Sequence, residues 1–115
     1  MDICVFVISM AFVTPPRSEL CSTLLNLERP IAARMRAIFY LRSMDGEHRA
    51  ENTAVLCQAL LDKRGTALFR HEIAYVLGQM QEPLAISDLS AVLRDTKDDV
   101  VVRHEVRGCL AKPLR

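Results

Sequence analysis

The tripeptide Arg-His-Glu occurs twice in this sequence, and the second copy follows the first by 33 residues. Imidazole and carboxylate groups are ligands for borderline divalent metals such as iron. Adjacent residues of a helix point about 100° apart, so a neighbouring His and Glu are better placed to reach two ions than to chelate one. We therefore predict that His71, Glu72, His104 and Glu105 converge from adjacent helices as one half of a dinuclear metal centre. The alternative is two surface His–Glu pairs carried along by duplication.

These four residues lie within an internal repeat, because the sequence aligns with itself at offsets of 36 and then 33 residues. Leucines recur at equivalent positions: Leu20, Leu56 and Leu89; Leu24, Leu60 and Leu93; and Leu41, Leu77 and Leu110. Apolar spacings of three and four residues indicate amphipathic helices. The sequence therefore predicts an all-α fold, an α-solenoid of about three helix pairs in one domain spanning 14–115. The predicted repeats are about 14–46, 50–82 and 83–115.

Proline and polar signals mark the expected helix ends. Thr14-Pro15 and Glu82-Pro83 are typical of helix starts, and Pro30 is predicted to open another helix. Thr66 is placed to cap the helix that carries His71.

A second periodic feature is polar and is interpreted as structural. An Asn or Asp precedes an Arg by eight residues in each repeat, across the turn between paired helices. The pairs are Asn26 and Arg34, Asp62 and Arg70, and Asp95 and Arg103. We expect a ladder in which each Arg pairs with this polar residue and fixes how one helix pair sits on the next.

Composition limits the remaining possibilities. The chain has 115 residues, half of them hydrophobic, which suffices for one small core. A net charge of +1 gives no global field that would attract nucleic acid. The four cysteines show no C-x-x-C spacing and are predicted to be buried small hydrophobes in a reducing, cytoplasmic environment. They are Cys4, Cys21, Cys57 and Cys109.

The first 13 residues form a separate apolar segment, in which the run Ile3–Val13 is too short to span a bilayer. We expect no membrane interaction and predict an extra helix that covers the open end of the first repeat. A non-native or spliced start is the alternative.

Several stretches resemble the deoxyhypusine hydroxylase family, over about residues 18–106. The run Arg-His-Glu-x-x-Tyr-x-Leu-Gly-Gln at 70–79 is more specific than a generic helical repeat. The other stretches are 33–37, 41–42, 68–69, 80–81 and 102–105. The first repeat has Met35-Arg36 where the others have His-Glu, as does the opening repeat of the family.

The resemblance implies a HEAT-like repeat monooxygenase that uses a di-iron (Fe²⁺) centre and molecular oxygen. Its protein substrate is the deoxyhypusine-bearing translation factor. The iron ligands implied here are His71, Glu72, His104 and Glu105, with no catalytic residue beyond them. The family has two such halves, and this chain resembles the N-terminal half only, so half of the ligand set is expected.

Completion of the site would then require a second copy in a homodimer or a separate second half, and a monomer is expected to be inactive. The alternative function is a non-catalytic HEAT-repeat module that binds a protein partner on its concave surface. Phycobilin lyases, built from similar repeats, are a further related family.

Overall fold

The computed structural model of the chain describes residues 14–44 and 46–112. Those residues form six α-helices and no strand. The helices are α1 (Arg17–Leu25), α2 (Ile31–Ser43), α3 (Arg49–Leu61), α4 (Ala67–Met80), α5 (Ile86–Arg94) and α6 (Val100–Ala111), with a 3₁₀ turn at Pro83–Ala85. The predicted all-α fold is confirmed. The apolar segment 1–13, with Cys4, lies outside the described residues.

The helices stack in two layers. Odd-numbered helices pack on the next odd-numbered helix, even-numbered helices on the next even-numbered one, and each pair packs internally. The repeated leucines build the core: Leu20, Leu24, Leu41, Leu56, Leu60, Leu77 and Leu89 are buried, whereas Leu93 and Leu110 of the third repeat are partly buried. No helix within the described ranges is long and apolar enough to cross a membrane.

Local sequence explains where the helices begin. Thr66 is the N-cap of α4, and its hydroxyl accepts a hydrogen bond from the Phe69 N–H at 3.2 Å, as predicted. Asp99 caps α6 by accepting from the N–H groups of Val101 and Val102 at 2.8 and 3.2 Å. Pro30 precedes α2 directly. The two caps fix the first turns of the helices that carry the His–Glu pairs.

The predicted side-chain ladder is wrong in its partners, because the polar residue of each repeat is used within its own turn. Asn26, Asp62 and Asp95 are the C-caps of α1, α3 and α5. Each accepts a hydrogen bond from the backbone N–H two residues later, at 2.9, 3.1 and 3.0 Å. This Asx-turn geometry ends the helix and directs the chain into the next one.

The arginines pair instead with backbone carbonyl groups near the ends of the preceding helices. Each guanidinium donates to the carbonyl oxygen ten residues earlier, two positions before the C-cap. Arg34 binds Leu24 at 3.1 and 2.9 Å, Arg70 binds Leu60 at 2.8 Å, and Arg103 binds Leu93 at 3.3 and 2.9 Å. These carbonyls lack an intrahelical donor, and a cation there also complements the helix dipole.

Two of these arginines also join neighbouring repeats, by different chemistry. The Arg34 guanidinium lies 4.1 Å from the centroid of the Phe69 ring in the second repeat. Arg70 forms a two-pronged ion pair with Asp98 of the third repeat, with Nη1–Oδ1 and Nη2–Oδ2 distances of 2.6 and 2.8 Å. The Arg70 and Asp98 side chains are only 4% and 3% exposed.

Candidate metal centre

His71 on α4 lies between two carboxylates from different helices. Its Nδ1 is 3.8 Å from Oε1 of Glu72, and its Nε2 is 3.3 Å from Oε2 of Glu105 on α6. The three side chains are 29%, 25% and 21% exposed, so they are partly shielded while remaining accessible. The structure therefore brings three of the four predicted ligands to the junction between α4 and α6.

A close approach of these two helices produces that contact. Cys109 of α6 donates its thiol hydrogen bond to the Ala74 carbonyl oxygen of α4 at 3.1 Å. A Cβ added to Gly78 would overlap the Cys109 sulfur and lie 3.2 Å from its Cβ, so only glycine fits there without movement. His71 precedes Ala74 by one turn, and Glu105 precedes Cys109 by one turn. The His71–Glu105 contact is thus the next contact along the same tightly packed seam.

His104, the fourth predicted ligand, is exposed on α6. Within the described ranges, no ion pair joins it to the other three residues, and no group of three or more His, Cys, Asp or Glu side chains is arranged to hold a metal ion. The donors nonetheless suit iron in kind, because an imidazole and two carboxylates meet at one seam. Their role as ligands, and the metal site itself, stay a prediction.

Burial of Cys57 and Cys109 disfavours their thiolate forms, which are the forms that bind metals. Burial raises the pKa of Cys109, and the negative charge of Glu105 raises it further. Burial raises the pKa of Cys57 to about 12, with Asp88 acting in the same direction. Cys57 and Cys109 are buried as predicted, and Cys21 is partly buried against the core.

A polar network that sequence analysis missed begins one turn beyond His71. Arg42 of α2 donates from Nη1 to Oε1 of Gln79 at 2.6 Å, and Nε2 of Gln79 donates to the Tyr75 hydroxyl oxygen at 3.2 Å. The Arg42 guanidinium also lies 5.1 Å from the Phe39 ring centroid. The four-residue spacing of Tyr75 and Gln79 was a usable signal, but the Arg42 contact depends on stacking of the repeats.

This network borders a cavity of about 670 Å³ at the C-terminal ends of α4 and α6. Its walls include Tyr75, Gly78 and Gln79 of α4, together with Arg49 and Lys112. Tyr75 is 40% exposed. The seam that carries His71 and Glu105 therefore leads into an open, largely polar space.

Comparison with known proteins bears on the chemistry of this seam. No family model matches the chain. It is 42% identical over 107 residues to the deoxyhypusine hydroxylase of Rattus norvegicus, covering 86% of this chain and 34% of that protein. The Xenopus laevis deoxyhypusine hydroxylase is 45% identical over 101 residues, covering 84% of this chain and 32% of that protein. This chain is a relative of the deoxyhypusine hydroxylases.

The fold agrees with that relationship. The solved structure of human deoxyhypusine hydroxylase in complex with glycerol superposes with a TM-score of 0.73 at 38% identity. The match covers 88% of this chain and 34% of that one, and it supports the HEAT-like helical repeat. The chain spans about a third of the length of the deoxyhypusine hydroxylases reported above.

Proposed function

We propose that this chain supplies part of the iron site of a deoxyhypusine monooxygenase. The observation that carries the proposal is the placement of His71 within 3.3 Å of Glu105 across two helices of adjacent repeats. The proposed reaction is taken from the similarity to deoxyhypusine hydroxylases. The contact between α4 and α6 provides an imidazole and carboxylates, which are suitable ligands for iron. The proposed ligands are His71, Glu72, His104 and Glu105.

Iron, when bound, supplies the redox chemistry that activates molecular oxygen. The protein's part is to hold imidazole and carboxylate donor atoms close together on neighbouring helices, where the side chains are partly shielded from solvent. The close packing at Gly78 and Cys109 keeps α4 and α6 at a fixed separation, which preorganises His71 and Glu105. Two His–Glu pairs are half the ligand number implied for the family, so a complete site needs residues from a second copy or from another half.

The protein substrate in this proposal is a translation factor that bears deoxyhypusine, and the site of action is cytoplasmic. The free thiols of Cys21, Cys57 and Cys109 support a reducing compartment.

A second candidate function is protein binding without catalysis. Leu68 and Val101 occupy equivalent positions on the first turns of α4 and α6, and they are 63% and 52% exposed. Such an exposed apolar pair favours a protein partner on this face. Catalysis on a protein substrate would use the same surface, so metal binding separates the two functions.

The test is ferrous iron binding by anaerobically purified chain, measured by calorimetry. We expect His71→Ala and Glu105→Ala each to weaken binding by at least about tenfold, because the loss of a residue that only orients a ligand already costs about that much. His48→Ala is a matched control, because His48 also lies between two carboxylates, Glu47 at 3.7 Å and Glu51 at 3.5 Å, but outside the seam. Equal losses in all three variants, or none, would contradict the proposed site and favour the binding module.

A further inference from the structure

The network of Arg42, Gln79 and Tyr75 has a fixed hydrogen-bond direction. An arginine side chain can only donate, so the Gln79 carbonyl oxygen must face Arg42. The Gln79 amide nitrogen must then face Tyr75 and donate to its hydroxyl oxygen. Because that oxygen already receives a proton from Gln79, the tyrosine proton has to point elsewhere. Among the described residues, no acceptor for it is found.

The position of Tyr75 in the structure indicates which groups its hydroxyl could bind. Tyr75 follows His71 by four residues and Glu72 by three, so it lies on the same face of α4 one turn further along. Tyr75 is 40% exposed and borders the cavity of about 670 Å³.

The chemistry of the substrate limits which of its groups can accept a hydrogen bond from the Tyr75 hydroxyl. The deoxyhypusine side chain carries two amino groups that are protonated near neutral pH, and protonated amines donate hydrogen bonds without accepting them. The Tyr75 O–H therefore cannot donate a hydrogen bond to these amino groups. The acceptors that every protein substrate offers at regular spacing are its main-chain carbonyl oxygens.

We propose that Tyr75, oriented by Gln79 and Arg42, is a positioning residue that donates a hydrogen bond to a main-chain carbonyl of the substrate beside its deoxyhypusine residue. This role rests on the proposed function, because it takes its ligand from that reaction.

The orientation is tested first, without substrate or iron. In a Tyr40→Phe background only Tyr75 contributes to the tyrosine Raman doublet, whose intensity ratio distinguishes an accepting from a donating phenol. We expect the ratio to indicate a more strongly donating phenol in Gln79→Glu than in the parent, since a carboxylate can only accept. Gln58→Glu, on the exposed face of α3, adds the same charge elsewhere and should leave the ratio unchanged. The same ratio in the parent and in Gln79→Glu overturns the proposal.

The role is tested by the affinity of the iron-loaded chain for the deoxyhypusine-bearing translation factor. We expect Tyr75→Phe and Gln79→Glu each to weaken binding about fivefold, the factor for one net hydrogen bond, while Gln58→Glu does not. Iron affinity should be unchanged in all three variants. Equal substrate affinity in Tyr75→Phe and the parent, or no binding by the parent, overturns the role of Tyr75. Iron binding that survives His71→Ala overturns the proposed function instead.

Discussion

Removal of the Asp98 carboxylate is expected to be among the most damaging single changes outside the apolar core. Asp98 receives two hydrogen bonds from Arg70, and both side chains are almost fully buried. Breaking a buried pair by deleting one partner typically costs about 3–5 kcal/mol, because the remaining charge stays buried without compensation. Arg70 keeps its bond to the Leu60 carbonyl, which places the expected loss near the lower end, at about 3 kcal/mol.

Asp62 provides the matched control for this prediction. It has the same side chain and also pairs with an arginine, but its partner Arg64 is 74% exposed. Asp62→Ala removes an exposed ion pair and the hydrogen bond that Asp62 accepts from the Arg64 N–H, so it should cost about 1 kcal/mol, less than the loss at Asp98. Asp98→Asn retains an acceptor for Arg70 and should fall between the two alanine variants.

The assay is urea unfolding followed by far-ultraviolet circular dichroism, with the midpoint and slope compared across the three variants. If Asp98→Ala does not fold, Asp98→Asn still ranks the site against Asp62→Ala. A loss in Asp62→Ala equal to or larger than the loss at Asp98 would refute the assignment of inter-repeat binding to the buried pair.

Two further predictions concern packing and thiol chemistry. Gly78→Ala should destabilise the chain by about 1–3 kcal/mol, because the added Cβ would displace the Cys109 thiol. Gly108→Ala should stabilise the chain by up to about 1 kcal/mol, because Gly108 is helical and an added Cβ meets no neighbouring atom. Thermal unfolding checks both, and the same sign for the two variants would contradict the helix-approach argument. Alkylation followed by mass spectrometry at mildly alkaline pH should modify Cys21 long before Cys57, whose pKa is raised from 9.0 to about 12 and whose thiolate fraction is thus about a thousandfold reduced. Equal labelling rates would contradict that burial.

The fold could be predicted from the repeat pattern because the spacing of apolar residues in the sequence indicates which side chains are buried. The equivalent leucines, the Thr66 cap and the meeting of His71 with Glu105 all follow from stacking helices with a fixed offset. Iron binding by the four proposed ligands stays a prediction.

The polar contacts were less predictable. A spacing of eight residues is compatible with a side-chain pair, but the same turn also offers a free backbone carbonyl at ten residues. Sequence cannot rank these acceptors, because their positions depend on how Asp62 folds into its own turn. The bond from Arg42 to Gln79 joins residues 37 apart and requires the final packing of α2 on α4.

The two junctions of the stack differ in how they respond to acid. Repeats in such a stack contact mainly their neighbours, so each junction contributes separately to cooperativity. The first uses the Arg34 contact with an aromatic ring and the Arg17–Glu51 ion pair at 3.7 Å, in which the Glu51 side chain is 61% exposed. At the second, hydrogen bonding by Arg70 lowers the pKa of Asp98 below its ordinary value. Its contribution is present above the ordinary carboxyl range and is lost as the pH falls through the lowered pKa. Acid is therefore expected to weaken the second junction, which also holds His71 beside Glu105, more than the first.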